Sequence, residues 1–329
     1  MKSTLHQFIS RRKQAKPSST RPFVFVHIPK TAGTSFRLSL IESSIVHCDY
    51  GEDSEFTSEG VQTHIYHVRN FYELKKQILQ NNGEVLTGHF PMNKFADFAP
   101  VTRQVTFVRE PIKRLISNYN HAVSHNGYRG NISSFSEKHQ NMQSRLLNSL
   151  PVELIGQLGI TECYAGSIDL INKNLGTKLQ VLNKNTRTHA HADERGLDDD
   201  AISLIRNHNE QDIRLYEKAL KLHKARLEFF REEKEWTFVH ATINQNGVLV
   251  GCAYFERSTE PVQLELHVNG NYISTFLADQ FYGQFPKFCF PRERYIGIRT
   301  KVADKNDQLP LSIQLKVVTT QQIYEVDSY

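Results

Sequence analysis

Long apolar runs are missing from this chain: no stretch approaches the roughly 18 consecutive hydrophobic residues of a membrane-spanning helix. An integral membrane span is therefore not expected. The opening MKSTLHQFISRRKQAKPSST is basic but carries no apolar core, so it does not read as a secretory signal. Residues 1–21 are expected to form a disordered basic arm. Cysteine is also scarce. Cys48, Cys163, Cys252 and Cys289 stand far apart with no CxxC pair, too sparse for a disulfide framework or a zinc site. Free thiols in a reducing compartment follow, and a cytoplasmic location with them. Nor is there a one-sided charge excess. Forty Lys and Arg against 35 Asp and Glu leave +5, with a pI near 8.9. That balance suits anionic substrates and lacks the excess of a nucleic-acid packaging protein, so no nucleic-acid partner is expected. Internal repeats and low-complexity tracts are absent.

What is present begins with PFVFV, a run of β-branched and aromatic residues that reads as a buried strand. HIPKTAGTS follows it directly. In TSFRLSLIESS, Phe36 and Leu40, then Leu38, Ile41 and Ile45, recur at helical spacing, which predicts a helix from about Thr34. A strand, a short loop containing Gly33 and a helix N-terminus make a socket for an anion. The first N–H groups of the helix lack intrahelical partners, and its dipole favours negative charge there. Lys30 adds a mobile positive charge at the mouth.

Two regimes divide the chain. Up to residue 235, strand-like runs alternate with helical patterns, which predicts an α/β domain with a central parallel sheet. The strands are expected in PFVFVHI, VLTGHF and QVTFVRE, with KLQVLN the weakest of the set. Helices are expected after Gly33, Pro111, Thr161 and Leu197, the last breaking into two near NHNE. From Trp236 the pattern becomes short alternating strands, WTFVHATI, GVLVGCAYF, VQLELHV, YISTFLAD, RYIGIRTKV and LSIQLKVV, separated by turn signals such as NQNG and VNGN. An all-β sandwich-like accessory module over 236–329 follows.

QVTFVREPIKRLISNYNHA repeats the strand-to-helix design. Pro111 suits the first helical turn with Glu110 at the cap, and Ile112, Leu115, Ile116 and Tyr119 make the buried face. Arg109 falls where the strand ends. Ser117 lies in the helix interior, where a serine gains little locally and a ligand oxygen is a reasonable partner.

Taken together, FVFVHIPKTAGTSF and FVREPIKRLISNY resemble the PAPS-dependent carbohydrate sulfotransferases, in particular the heparan/dermatan 2-O-sulfotransferase-like group (sulfotransferase family 2), over residues 22–230. The resemblance implies a P-loop-like parallel sheet and PAPS as sulfuryl donor, with no metal. It implies that Lys30 meets the bridging oxygen of the leaving group and that Thr31, Ala32, Gly33, Thr34 and Ser35 form the phosphate loop. Arg109 and Ser117 match the 3′-phosphate pair. His89, in LTGHF, matches the catalytic base, although the family's second histidine in that segment is replaced by Thr87. Lys184, Asn185 and Thr186, in LNKNTR, sit where a late loop closes over the donor. A glycan or polysaccharide acceptor follows from the same resemblance. Animal members carry a membrane anchor that this sequence does not show, which fits a bacterial-type enzyme.

The residue chemistry agrees. Sulfuryl transfer needs positioning and neutralisation of charge on a phosphate leaving group, which Lys30 and backbone donors supply. A sugar hydroxyl is a poor nucleophile, and a histidine base suits neutral pH. Two alternatives remain at this point: an ATP-dependent P-loop kinase, and a catalytically inactive glycan-binding protein. Walker A places its lysine after the second glycine, whereas Lys30 precedes Gly33. Metal binding by His189, His191, Asp193 and Glu194 in THAHADE is the less favoured reading of that loop. Tyr128, Arg129, Arg145, Arg187 and Arg195 are weak candidates for acceptor contact. A homo-oligomer is compatible with the sequence.

Overall fold

A computed structural model of the chain describes residues 21–80, 84–182, 197–302 and 312–328. Its first part is built on five parallel strands, β1 (Phe23–Val26), β2 (Ile45–Asp49), β3 (Glu84–Gly88), β4 (Gln104–Val108) and β5 (Gln157–Ile160), in the order β2-β3-β1-β4-β5. A parallel sheet covered on both faces needs apolar residues at successive positions, and FVFV in β1 is buried throughout. Phe23 and Phe25 face a cluster with Phe36, Leu40, Phe107, Ile168 and Ile171. Val24 and Val26 face the opposite cluster, with Leu86, Phe90 and Phe95. The flanking helices are α1 (Gly33–Ser43), α2 (Phe71–Gln80), α3 (Pro111–Asn126), α4 (Ile132–Lys138), α5 (Met142–Leu147), α6 (Tyr164–Leu175), α7 (Asp199–His208) and α8 (Glu210–Arg231). The break between α7 and α8 falls at Asn209, inside NHNE as expected.

Two expectations are corrected. Ile45 does not extend the face of α1. The helix stops at Ser43, Ser44 turns extended, and Ile45 opens β2, which pairs with β3 from Glu84 onward. KLQVLN does not form a strand over its described residues, 178–182. Its backbone groups go to side chains instead: Leu179 N donates to Asn172 Oδ1 (2.8 Å), Asn172 Nδ2 donates to Leu179 O (3.0 Å), and Gln180 N donates to Ser39 Oγ (2.7 Å). The fifth strand is QLGI, whose short run between Gly156 and Thr161 gives little periodicity to read.

Beyond α8 the chain forms antiparallel sheets that pack as a sandwich. One has the order β10-β11-β7-β6-β14, from β6 (Thr237–Ile243), β7 (Val248–Phe255), β10 (Gln280–Phe281), β11 (Tyr295–Lys301) and β14 (Asp327–Ser328), the last joining in parallel. The other, β13-β12-β8-β9, comprises β8 (Val262–Val268), β9 (Asn271–Ala278), β12 (Ile313–Val317) and β13 (Ile323–Glu325). Val239, Leu249, Ala253 and Phe255 face the second sheet. Trp236, Phe238, Cys252 and Tyr254 face the other way and join the core of the parallel sheet. Polar contacts follow the same seam: Arg226 of α8 donates to Gly156 O and pairs with Glu256, and Tyr254 Oη donates to Leu154 O (3.2 Å). The four cysteines are free thiols.

Candidate active site

Three segments singled out in the sequence leave the sheet at its C-terminal edge, the side on which ligands bind in open α/β sheets. They are the His27–Gly33 loop after β1, His89 after β3, and Arg109 after β4.

The loop is shaped by its own backbone. His27 N donates to Gly88 O (2.9 Å), which ties its start to β3. Thr31 is fully buried, and its Oγ1 donates to Ile28 O (2.9 Å), so its side chain builds the turn and only its backbone N–H is left for a ligand. Lys30 and Ala32 both adopt left-handed φ, 69° and 64°. Such values are costly for side-chain-bearing residues and concentrate at functional sites, and alternating backbone hands turn successive N–H groups toward one concavity. Ala32 is the N-cap of α1, no side chain caps that end, and its first turn contains no acidic residue. The positive end of the dipole is thus left for an external anion. Thr34 is exposed and Ser35 buried at this end.

The helix after β4 is treated differently. The Glu110 carboxylate caps α3, accepting from Ile112 N (3.2 Å) and Lys113 N (2.7 Å). Arg109 Nη1 reaches across to donate to Lys30 O (3.1 Å), joining the two anchors. Burial and the neighbouring Arg109 charge pull the Lys30 ammonium below its usual pKa. Ser117 is half-buried in the second turn of α3.

His89 sits just past β3, where its N–H donates to Asp49 O (3.0 Å). Its ring lies 4.7 Å, centroid to centroid, from both His27 and Tyr50. His27 Nδ1 and Tyr50 Oη are 2.9 Å apart. Above them, the Arg37 guanidinium lies 5.4 Å from the Tyr50 ring. Burial, then the Arg37 charge, depresses His89 to about 4, and His27 is also held well below its ordinary value by burial, His89, Arg37 and Lys30. The His89 side chain is solvent-exposed, which tempers its desolvation, and both imidazoles are neutral at pH 7. Burial pushes the Tyr50 phenol up to about 12, so it stays protonated. The second imidazole beside His89 is thus that of His27, just past β1.

Sequence reasoning missed Tyr50, Arg37 and Asp49. Asp49 and Tyr50 stand at the end of β2, whose first residue the periodicity assigns to the preceding helix, whereas Arg37 lies on α1 itself. Asp49 is buried, accepting from Tyr66 Oη (2.6 Å) and pairing with Lys94 Nζ (2.7 Å). The run HCDYG at the end of β2 was the available signal. Tyr128 packs against Tyr119 and Phe135, while Arg129 and Arg145 are exposed. Lys184, Asn185 and Thr186 lie outside the described residues, as do Arg187, His189, His191, Asp193, Glu194 and Arg195. Among the described residues, no three His, Cys, Asp or Glu side chains are grouped to hold a metal, and no helix is long and apolar enough to cross a membrane.

Residues 14–150 match the model of the sulfotransferase family. The matched region contains the loop, His89, Arg109 and Ser117, and the match supports sulfuryl transfer in general. A search of curated proteins and one of solved structures each found no match.

Proposed function

We propose that this protein transfers a sulfuryl group from PAPS to a hydroxyl of a glycan acceptor. The observation that carries the reading is the meeting of two anion-binding devices with a neutral histidine at one sheet edge. The uncapped start of α1 holds Lys30 at its mouth, Arg109 is bonded to the carbonyl of Lys30, and His89 stands beside the loop against His27.

In this reading the N–H groups from Thr31 to Ser35 and the Lys30 ammonium take the 5′-phosphosulfate, and Arg109 with Ser117 takes the 3′-phosphate. Lys184, Asn185 and Thr186 are assigned to the donor by the resemblance alone. His89 accepts the proton of the acceptor hydroxyl as its oxygen bonds to sulfur. The bond from sulfur to the phosphate oxygen breaks in the same displacement, and the leaving oxygen keeps the electron pair beside Lys30. A neutral imidazole is the form that can accept that proton. Arg37 and burial favour it, and Tyr50 holds the neighbouring His27 in place. The β module serves acceptor contact or docking, because every residue with a chemical role in this reading lies upstream of it.

The test is turnover of labelled PAPS over a panel of uronic-acid-containing and neutral glycans, read by mass spectrometry. Calorimetry with PAP and its 3′-dephospho analogue tests the donor half separately. A lost charge-assisted contact should cost about 1.5–3 kcal/mol, roughly ten- to hundredfold in affinity, and Arg109→Ala should erase most of that difference. Equal affinity of the wild type for both nucleotides removes the 3′-phosphate assignment.

A further inference from the structure

Arg109 is the first residue past the β4–β5 ladder, which ends at Val108 opposite Ile160. Its backbone does not go to water. The side-chain amide of Gln143, fully buried at the start of α5, bonds it in both directions: Arg109 N donates to Gln143 Oε1 (2.8 Å), and Gln143 Nε2 donates to Arg109 O (2.9 Å). The amide thus stands in for the next peptide of a neighbouring strand. Gln143 is in turn fixed from its own backbone. Asp212, fully buried in the first turn of α8, accepts from Gln143 N (3.1 Å) and Ser144 N (2.7 Å). Asn141, in the left-handed region at φ 45°, returns the arrangement by accepting from Gln211 N (3.0 Å) and Asp212 N (3.1 Å). The starts of α5 and α8 therefore cap each other. Arg114, with no exposed surface, is lowered chiefly by burial; Asp212 favours its charge and Arg109 opposes it.

Buried polar side chains cost free energy unless bonded, and the bonds of Gln143, Asp212 and Asn141, which do not include Arg114, converge on one residue. We propose that Gln143, held by Asp212 and Asn141, is a positioning residue that aims Arg109 at the 3′-phosphate of the donor. This rests on the donor reading given above. A strand end is ordinarily free to fray once its ladder stops. Here the main chain of residue 109 is fixed on both its donor and its acceptor, so the side chain leaves from a defined point, and its Nη1 reaches the Lys30 carbonyl. Pre-set geometry of this kind is what makes a charged contact selective, because displacement of about 1 Å can cost a large factor in binding or rate.

The test is a comparison of PAP with its 3′-dephospho analogue by calorimetry, using the full chain. Gln143→Met keeps the volume and removes both bonds to Arg109. It should reduce the preference for PAP about tenfold while leaving affinity for the dephospho nucleotide nearly unchanged. In an Arg109→Ala background, Gln143→Met should then have no further effect on the preference. A folded Gln143→Met protein with wild-type preference overturns the inference, as does equal weakening of both nucleotides or an effect additive with Arg109→Ala. If Gln143→Met does not fold, Asn141→Gly decides the matter, because it keeps the left-handed backbone and removes only the acceptor for the two α8 amides. A smaller loss of preference in the same direction supports the inference, and an unchanged preference overturns it. A wild type without preference defeats the donor reading itself, and this inference with it.

Discussion

The imidazole of His27 fills the space that a side chain on Gly33 would need: a Cβ there would fall against its Cδ2 and Nε2 atoms. Gly33 does not have positive φ, so its requirement is for room. Gly33→Ala is therefore expected to push the ring away, or distort the loop at the start of α1, and to weaken PAP binding by at least about tenfold in a folded protein. His27→Ala removes the obstruction, and the double variant should recover part of the lost affinity. Calorimetry checks both. A Gly33→Ala protein that binds as the wild type does would show that the loop tolerates the shift.

The same ring cluster sets a pH dependence. His89 is depressed to about 4 by burial and the Arg37 charge, so it is neutral, and able to accept a proton, above that pH. The acid limb of kcat/KM should then lie well below 6.5. Arg37→Gln removes the depressing charge and should move the limb upward. The lowered pKa of Lys30 places an alkaline limb below the usual lysine value. An acid limb at or above 6.5, unmoved by Arg37→Gln, would sink the electrostatic account.

Stability should follow pH in the same sense. His27 is lowered well below 6.5, and buried His223 to about 4 mainly by burial. In the unfolded chain each returns to about 6.5 and binds protons that the folded state excludes. Stability is therefore full above about 6.5 and falls as pH drops toward 4. His223 alone contributes on the order of 3 kcal/mol over that window. Thermal melts between pH 7 and 4 check this, and His223→Gln should flatten the slope. A melting temperature independent of pH across the window would contradict it.

Much of this was readable before any coordinates. PFVFV and QVTFV are doubly buried parallel strands whose composition allows little else, and the strand–loop–helix at HIPKTAGTS follows from where the apolar run stops. The cap at Glu110 and the break near NHNE are local signals, and they were legible for that reason. IVHCD and QLGI were not, because four or five residues with mixed polarity carry no usable period. Missing β2 hid Asp49 and Tyr50, and with them the partners of His27 and His89. Gln143 and Asn141 lie 69 and 71 residues from Asp212, where α5 meets α8, and no local pattern announces that contact.

The β module shares its core with the parallel-sheet half, which carries a stability prediction. Trp236, Phe238 and Tyr254 pack in the same cluster as Val24, Leu86 and Phe95, and Arg226 is satisfied by Glu256 across the seam. A chain stopped at residue 235 would expose that face and leave Arg226 without its carboxylate. It is expected to aggregate or lose its cooperative melt, and Trp236→Ala in the full chain should cost about 3–5 kcal/mol. Circular dichroism and calorimetry read both. A chain of residues 1–235 that melts cooperatively near the wild-type temperature and binds PAP would show the module to be separable.

The last prediction concerns His89 itself. Its backbone is fixed by Asp49 O and its ring by contacts with His27 and Tyr50, so the imidazole is held at the sheet edge beside the Lys30 loop while its side chain stays open to solvent. That combination suits a group that meets an incoming hydroxyl and has no part in holding the donor. His89→Ala should therefore lower kcat by about 10²–10⁴ and leave PAP affinity nearly unchanged. Lys30→Ala should harm both, because in the proposed reading its ammonium serves the bound phosphate and the leaving oxygen alike. The two variants thus separate binding from chemistry in one set of assays. His27 provides the control: buried and bonded to Tyr50, it cannot reach an acceptor without breaking that contact, and Tyr50→Phe should weaken turnover far less than His89→Ala. If the His89→Ala enzyme is folded, binds PAP normally and turns over its best acceptor at near wild-type rate, His89 is not the base. Attention then moves to His27 or an acidic residue near the loop, and Tyr50→Phe, which frees His27 Nδ1, tests the first of these.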